Sequence, residues 1–335
     1  MILHRPVQIG SFVTSGNLFL APVAGYSDAA YRSICHDAGC DLAFTEMVSS
    51  EALARGNIKT HMLLGREKNE KDYAVQLFGS NPDTLAKAAA MVEERWQPAI
   101  IDLNCGCPVP KIIKTGAGSA LMLEPQKIRA IVKAMTDLLS VPVTVKIRLG
   151  WDASSINYLD AARAAMDGGA KAISLHARTR AQGYSGNADK EAFFVLAASV
   201  PLPVFASGDI FSPETALNLL KEDRNGKKLA GVMFARGAMG DPFIFSRTLM
   251  LLNNKKEEKA STADIIKLAT KHLDLSIAWH GEKIACMEFR KHACSYLKGQ
   301  HEAAVLRKMA VSCSSRKDYE KFFLAWKQNS AKTPG

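Results

Sequence analysis

The sequence predicts an α/β protein, a (β/α)8 TIM barrel followed by a small C-terminal helical-bundle domain. Three observations predict it. Eight short β-branched or apolar runs recur, each followed by a stretch of helical composition; the recurrence stops near Met250; and the residues beyond Met250 have helical periodicity with no strand pattern. The runs are spaced by roughly 24 to 44 residues, room for a strand, a helix and two loops, and eight such units are what a closed barrel requires. An open doubly wound sheet usually needs fewer.

In chain order the runs are Leu18–Ala21, Leu42–Thr45, Ala74–Phe78, Ala99–Leu103, Val143–Ile147, Ala172–Leu175, Val204–Ala206 and Gly231–Ala235. Between them, Asp83–Arg95 carries apolar Leu85, Ala88, Ala89 and Val92 at helical spacing, and Pro125–Leu139 carries Ile128, Ile131, Val132 and Met135. Pro82, Pro125 and Pro213 stand near helix starts, where a missing N–H costs nothing. Asn253–Ala260 is polar and charge-rich and reads as a linker, which divides the chain into 1–250 and 251–335. Beyond it, Ser261 with Asp264 three residues on resembles a capping box, and Ile265, Ala269, Leu273 and Ile277 step along one helical face. Cys286–Leu297 and Val305–Cys313 are helical in pattern too, and Tyr319, Phe322, Phe323 and Trp326 form a stripe read as core.

The composition agrees with this reading. A chain of 335 residues, 47% hydrophobic and 23% charged, buries a real core, which excludes a disordered or fibrous protein. No apolar run reaches membrane-spanning length. The start lacks the charged-then-apolar layout of a signal peptide, so the expectation is a cytoplasmic protein whose seven cysteines are reduced thiols. The net charge is +10, and its location is more telling than its size: residues 251–335 hold 16 Lys and Arg against nine Asp and Glu, with four of the eight histidines. A solvated helical surface and a nucleic-acid face explain that equally well.

In such barrels the active site lies at the C-terminal ends of the strands. The first run ends in Ala21-Pro22-Val23-Ala24-Gly25, small residues that let backbone approach a flat ligand or simply make a tight turn. The third contains Gln76, the fourth leads to Asn104-Cys105-Gly106-Cys107-Pro108, the fifth presents Lys146 and Arg148, and the sixth His176 and Arg178. The last two end in Ser207-Gly208-Asp209 and Ala235-Arg236-Gly237, the place where barrels often bind phosphate. Ordinary turns account for any one of these, whereas their joint presence points to a phosphate-bearing cofactor. Lys146, in an apolar strand, needs an anionic or electron-rich partner, such as a reduced flavin; a Schiff-base lysine is the rival reading.

The spacing of Cys105 and Cys107 is too close for an unstrained disulfide and short of a structural zinc set, so no metal is expected. Cys35, Cys40, Cys286, Cys294 and Cys313 read as small buried hydrophobes. Cys107 sits on a loop over the barrel mouth, where a thiol donates a proton or, ionised, attacks as a nucleophile.

Together these residues resemble the tRNA-dihydrouridine synthase family, most closely its bacterial type B group. The resemblance rests on Ala21–Gly25, Thr45-Glu46-Met47, Gln76-Leu77-Phe78-Gly79, Asp102–Pro108, Lys111 with Gly116-Ala117-Gly118-Ser119, Val145–Arg148, His176-Ala177-Arg178-Thr179-Arg180, Ser207–Ile210 and Arg236-Gly237, and continues weakly at Arg290-Lys291-His292. Two positions depart from the family pattern: Ser207 where asparagine is usual and Val23 where methionine is. The resemblance implies FMN held by Pro22, Val23, Ala24, Gln76, Lys146 and His176, with Ser207, Gly208, Asp209, Ala235 and Arg236 on its ribityl and phosphate. It implies that NADPH or NADH reduces the flavin, that hydride passes to C6 of a flipped-out uracil in the D-loop of tRNA, and that Cys107 protonates C5. Asn104 and Arg178 are then candidates for orienting the uracil, and Lys111, Lys114, Arg180, Arg290 and Lys291 for holding the RNA. No membrane or protein partner is implied. Two other functions stay open at this level: a flavin barrel acting on a small molecule, such as a dihydroorotate or enoate oxidoreductase, which needs no basic tail, and a noncatalytic RNA-binding protein on a decayed barrel.

Overall fold

Alternation along each strand decides which side chains face the barrel axis, and it produces two apolar clusters, one outside the barrel wall and one inside. In the computed structural model, which describes residues 2–224 and 226–330, the chain begins with a hairpin of β1 (Gln8–Ile9) and β2 (Phe12–Val13). The barrel strands come next: β3 (Leu18–Leu20), β4 (Leu42–Ala43), β5 (Val48–Ser49), β6 (Ala74–Phe78), β7 (Ile100–Cys105), β8 (Val143–Arg148), β9 (Ile173–His176), β10 (Val204–Ser207) and β11 (Gly231–Phe234). All pair in parallel, in the order β4-β3-β11-β10-β9-β8-β7-β6-β5. A parallel bridge from Phe44, just past β4, to Ala74 of β6 closes the barrel.

All eight expected runs are strands. The second is interrupted, since β4 and β5 are two pieces of one stave separated by Phe44–Met47, where Thr45 Oγ1 takes the Gln76 N–H that a ladder carbonyl would otherwise take. The outward residues, such as Ile101, Leu103, Val143, Val145 and Ile147, pack beneath the helices in the main core. The inward ones, Phe19, Leu42, Ala74, Ile100, Ala172 and Phe205, fill the base of the barrel together with Val7 and Ile9 of the hairpin region. Above that apolar plug the inward residues turn polar: Gln76, Asp102, Asn104, Thr144, Lys146 and His176. An apolar base and a polar mouth are thus written into the same alternation.

The helices of the barrel start as expected, with Pro82, Pro125 and Pro213 in the first turn and Asn81 and Ser212 capping two of them through side-chain oxygens. The last barrel helix, Ile244–Leu252, crosses the expected boundary at 250. The polar stretch after it forms no element, and its Glu257 is paired with Arg247 at 2.8 Å.

Four helices complete the described chain: Thr262–His280, Glu282–Tyr296, Ala303–Ser312 and Arg316–Ser330. Ser261 and Asp264 make the full capping box. Ala269, Leu273, Phe289, Tyr319, Phe322, Phe323 and Trp326 form a separate core. Cys294 is only partly buried, while the other four cysteines expected to be core are buried. Lys332 of the basic tail lies outside the described residues.

The helical unit does not hang free. Helix Thr262–His280 packs along the barrel's first helix, Ala29–Asp37. Lys271 pairs with Asp37 at 2.5 Å and Trp279 Nε1 donates to Glu67 at 2.5 Å. Buried His272 and His292 meet edge to face at 4.5 Å, and Tyr31 of the barrel lies against both rings. At Gly240, with φ +77°, a Cβ would collide with the carbonyl group of Ser295, so only glycine permits the close approach of the two units there. Among the described residues, no helix is long and apolar enough to cross a membrane.

Candidate active site at the barrel mouth

The ends of the staves form a cleft of about 230 Å³ that opens to solvent. Pro22, Val23, Ala24, Gln76, Lys146, His176, Ser207, Gly208, Asp209, Ala235 and Arg236, eleven residues expected to contact a cofactor, all line it, as do Asn104 and Cys107. Met47, Arg148, Tyr184 and Phe211 also line it, although the sequence reading gave none of them a role in the site. Arg148 was legible as a strand end; Tyr184 and Phe211 were hidden in loops, where a single aromatic carries no periodic signal.

The cleft is chemically graded. Lys146 projects from β8 into the barrel, and burial, with Arg148 nearby, pulls its ammonium down to about 8. His176 is held neutral, its pKa driven far down by burial and by the surrounding Lys146, Arg148, Arg178 and Arg236. Its buried Nε2 has no hydrogen-bond partner. Gly208 packs against that ring: with φ +110°, a Cβ there would stand 2.8 Å from His176 Cδ2. Next to it Asp209, also left-handed at φ +52°, accepts from Arg178 at 2.6 Å and from Arg236 at 3.2 Å. The Arg236 guanidinium lies between the rings of Tyr184 and Phe211, 4.6 and 5.1 Å from their centroids.

Cys107 lines the same cleft, on the loop that leaves β7 beside β8. Burial raises its thiol pKa, so the sulfur carries its proton at neutral pH. Its loop is pinned: Asn104 Oδ1 accepts the N–H of Gly106 at 3.1 Å and that of Cys107 at 2.9 Å, and Ser119 donates to the Cys107 carbonyl at 2.8 Å. Arg148 Nε donates to the Gly106 carbonyl at 2.7 Å. Cys105, two residues back, faces outward into the core, so the two thiols share a sequence motif and no site.

Some expected roles change. Arg178 is not among the residues that line the cleft: buried, it pairs with Asp209 and donates to the carbonyls of Ser185 and Gly186, bracing the 183–186 loop, while its Nη1 has no partner. Asn104 lines the cleft, yet its amide is committed to the Cys107 loop and to Gln76. Arg290 donates to the Cys313 carbonyl at 2.8 Å, within the helical unit. Lys291 reaches back to the barrel, with its ammonium 5.6 Å from the Tyr26 ring, beside the Val23–Gly25 loop. Lys111 and Lys114 stand just beyond Val109 at the rim, and Arg180 lies over the Trp151 ring at 4.4 Å.

The donor set fits a flat anionic ligand with a phosphate arm. An unpartnered ring nitrogen, a buried ammonium and an arginine beside a glycine turn are groups that a packed core would not leave in a cleft. Fold and cleft define a parallel barrel enzyme with a nucleotide-type cofactor site over its strand ends. The family model "Dihydrouridine synthase (Dus)" matches residues 19–331, and the chain belongs to that family. It is 44% identical to a "Probable tRNA-dihydrouridine synthase" of Treponema pallidum (strain Nichols), with 95% of each chain covered. It is 35% identical to "tRNA-dihydrouridine synthase B" of Pseudomonas putida, covering 87% of this chain and 85% of that one. Among solved structures it is similar to a 2-naphthoyl-CoA reductase complex, with a TM-score of 0.57 and 11% identity over 76% of this chain and 52% of that one. An old yellow enzyme homologue from Zymomonas mobilis gives 0.51 and 10%, over 79% and 96%. Both likenesses concern the barrel fold.

Proposed function

We propose that this chain reduces uridine to dihydrouridine in the D-loop of tRNA, using FMN in the barrel mouth and NADPH or NADH as the electron source. The observation that carries the reading is the presence, in one cleft, of a protonated thiol on a pinned loop after β7, the basic Lys146 and Arg148 of the adjoining β8, and a phosphate-type turn. A bound reduced flavin would supply the hydride that adds to C6 of the uracil, the end of the C5=C6 bond made electrophilic by the C4 carbonyl. The protein then has to protonate C5. Cys107 is the acid for that step: its raised pKa keeps the proton on sulfur until the enolate forms, and solvent returns the proton afterwards.

The remaining residues bind and orient. Lys146 and Gln76 meet the electron-rich edge of the ring system, His176 offers its unpartnered Nε2, and Pro22, Val23 and Ala24 form the wall beside them. Ser207, Gly208, Ala235 and Arg236 hold the ribityl and phosphate arm. Asp209, already paired with two arginines, aims Arg236 and stays off the phosphate itself. Residues 1–250 act as the catalytic barrel and 251–335 as a tRNA-binding unit. Lys111 and Lys114, with Arg180, Lys291 and the outward lysines of the helical unit, contact phosphates while the base is extruded. A tRNA substrate and seven unpaired cysteines suit the reducing cytoplasm.

The direct test is to incubate the purified protein with FMN, NADPH and unmodified tRNA and to measure dihydrouridine. A yellow protein is expected, with dihydrouridine that depends on both cofactors; oxidation of NADPH only with a small enone, or a protein that takes up no FMN, overturns the proposal.

A further inference from the structure

Asp102 is fully buried on the inner face of β7, and no step of the proposed reaction uses it. Its two oxygens are not idle. Oδ1 accepts from Thr144 Oγ1 at 2.6 Å and Oδ2 from Gln76 Nε2 at 2.7 Å. Gln76 Oε1 in turn accepts from Asn104 Nδ2 at 2.7 Å, and Asn104 Oδ1 accepts the N–H groups of Gly106 and Cys107. A continuous chain therefore runs from a buried carboxylate, across β6 and β7, to the loop that carries the thiol.

We propose that Asp102 sets the direction of this hydrogen-bond chain and so positions the Cys107 loop, a role that rests on the reductase reading above. A carboxylate accepts and cannot donate, so Gln76 must turn its Nε2 toward Asp102 and its Oε1 toward Asn104. Asn104 must then turn its Nδ2 toward Gln76, which leaves Oδ1 for the two loop N–H groups. Reversal of Asn104 would set its Nδ2 against the loop N–H groups, and reversal of Gln76 would set its Nε2 against Asn104 Nδ2 and its Oε1 against the carboxylate. The same constraint leaves the second Nε2 hydrogen of Gln76 for the cleft, so the residue offers a donor to the ligand there. Asp102 is thus a positioning residue, acting through two amides, and Cys107 is the catalytic one.

The chain predicts its own rescue. In Asp102→Asn the new side chain both donates and accepts, so either direction is permitted and the loop anchors weaken. In the double variant Asp102→Asn with Asn104→Asp the direction is reversed throughout: Asn at 102 donates to Gln76 Oε1, Gln76 Nε2 donates to the new carboxylate at 104, and that carboxylate accepts both loop N–H groups. The negative charge stays beside Lys146, the register partner of residue 104. Amide hydrogen exchange of full-length protein, read on the peptide spanning 104–107, should quicken about tenfold in the single variant, the loss of roughly one net hydrogen bond. It should return to the wild-type rate in the double variant, with the rest of the molecule unchanged in both. Unchanged exchange in the single variant overturns the role; should that variant not fold, a double variant that is also unfolded or unprotected overturns it. Dihydrouridine formation by the wild-type protein separates the two claims. Its absence defeats the reductase reading without altering the exchange result, and local exchange that ignores residue 102 in an active enzyme defeats only the positioning role.

Discussion

Cys107 and Lys146 carry opposite duties at the residue scale, and each duty has its own readout. Replacing Cys107 by Ala should leave flavin uptake and its reduction by NADPH intact while dihydrouridine formation falls by roughly 10²- to 10⁴-fold, the usual contribution of a positioned general acid. Full product formation by that variant would assign the proton to another donor. For Lys146 the sign follows from its depressed pKa: the ammonium is charged below about 8 and neutral above it. FMN affinity of the wild-type protein should therefore weaken as pH rises through that value, and Lys146→Met should bind roughly 10- to 100-fold less tightly with a flatter pH profile, the range for a hydrogen bond to a charged group. Titration of free-flavin fluorescence measures both. These two residues were legible in sequence from where they stand, a lysine in an apolar strand, where an unpaired ammonium is costly, and a cysteine on a strand-end loop. Arg178 was not, because a guanidinium next to a site in sequence reads the same whether it faces the ligand or braces the turn below it.

The element scale shows why the barrel was readable and where it was not. Each stave is a short apolar run with a helix behind it, and the change from apolar to polar inward residues marks the mouth. The hairpin at Gln8–Ile9 and Phe12–Val13 escaped because two-residue strands have no period, and the break in the second stave escaped because it depends on the side chain of Thr45. In the helical unit, the capping box at Ser261 and the aromatic stripe from Tyr319 to Trp326 were both visible as spacing. Ser261→Ala should cost about 0.5–2 kcal/mol, as N-cap losses do. Phe322→Ala, which empties a fully buried ring site, should cost about 3–5 kcal/mol. Denaturant unfolding of the two variants should keep that order; a harmless Phe322→Ala would mean the stripe is not core.

At the scale of the whole molecule the positive charge separates into two kinds of residue. His272 and His292, which add to the apparent basicity of the tail, are buried against Tyr31 and held neutral by burial, His272 at about 4. They join the helical unit to the barrel. The exposed lysines of that unit, with Lys111 and Lys114 at the rim, are left to meet an anionic partner. Replacing Lys111 and Lys114 by Ala should raise KM for tRNA, lower the salt dependence of binding by about two phosphate contacts and leave NADPH-driven flavin reduction unchanged. Sequence located the charge correctly but could not divide it, since contacts between the two units decide which groups are buried.

The central claim is that one cleft supplies both the hydride site and the acid for a uracil in tRNA. It is tested most directly by quantifying dihydrouridine in unmodified tRNA after incubation with FMN, NADPH and either the wild-type protein or Cys107→Ala. Abundant dihydrouridine is expected with the wild type and almost none with the variant, although both bind and reduce FMN; equal product from the two, or reduced flavin with no dihydrouridine from either, would contradict the claim.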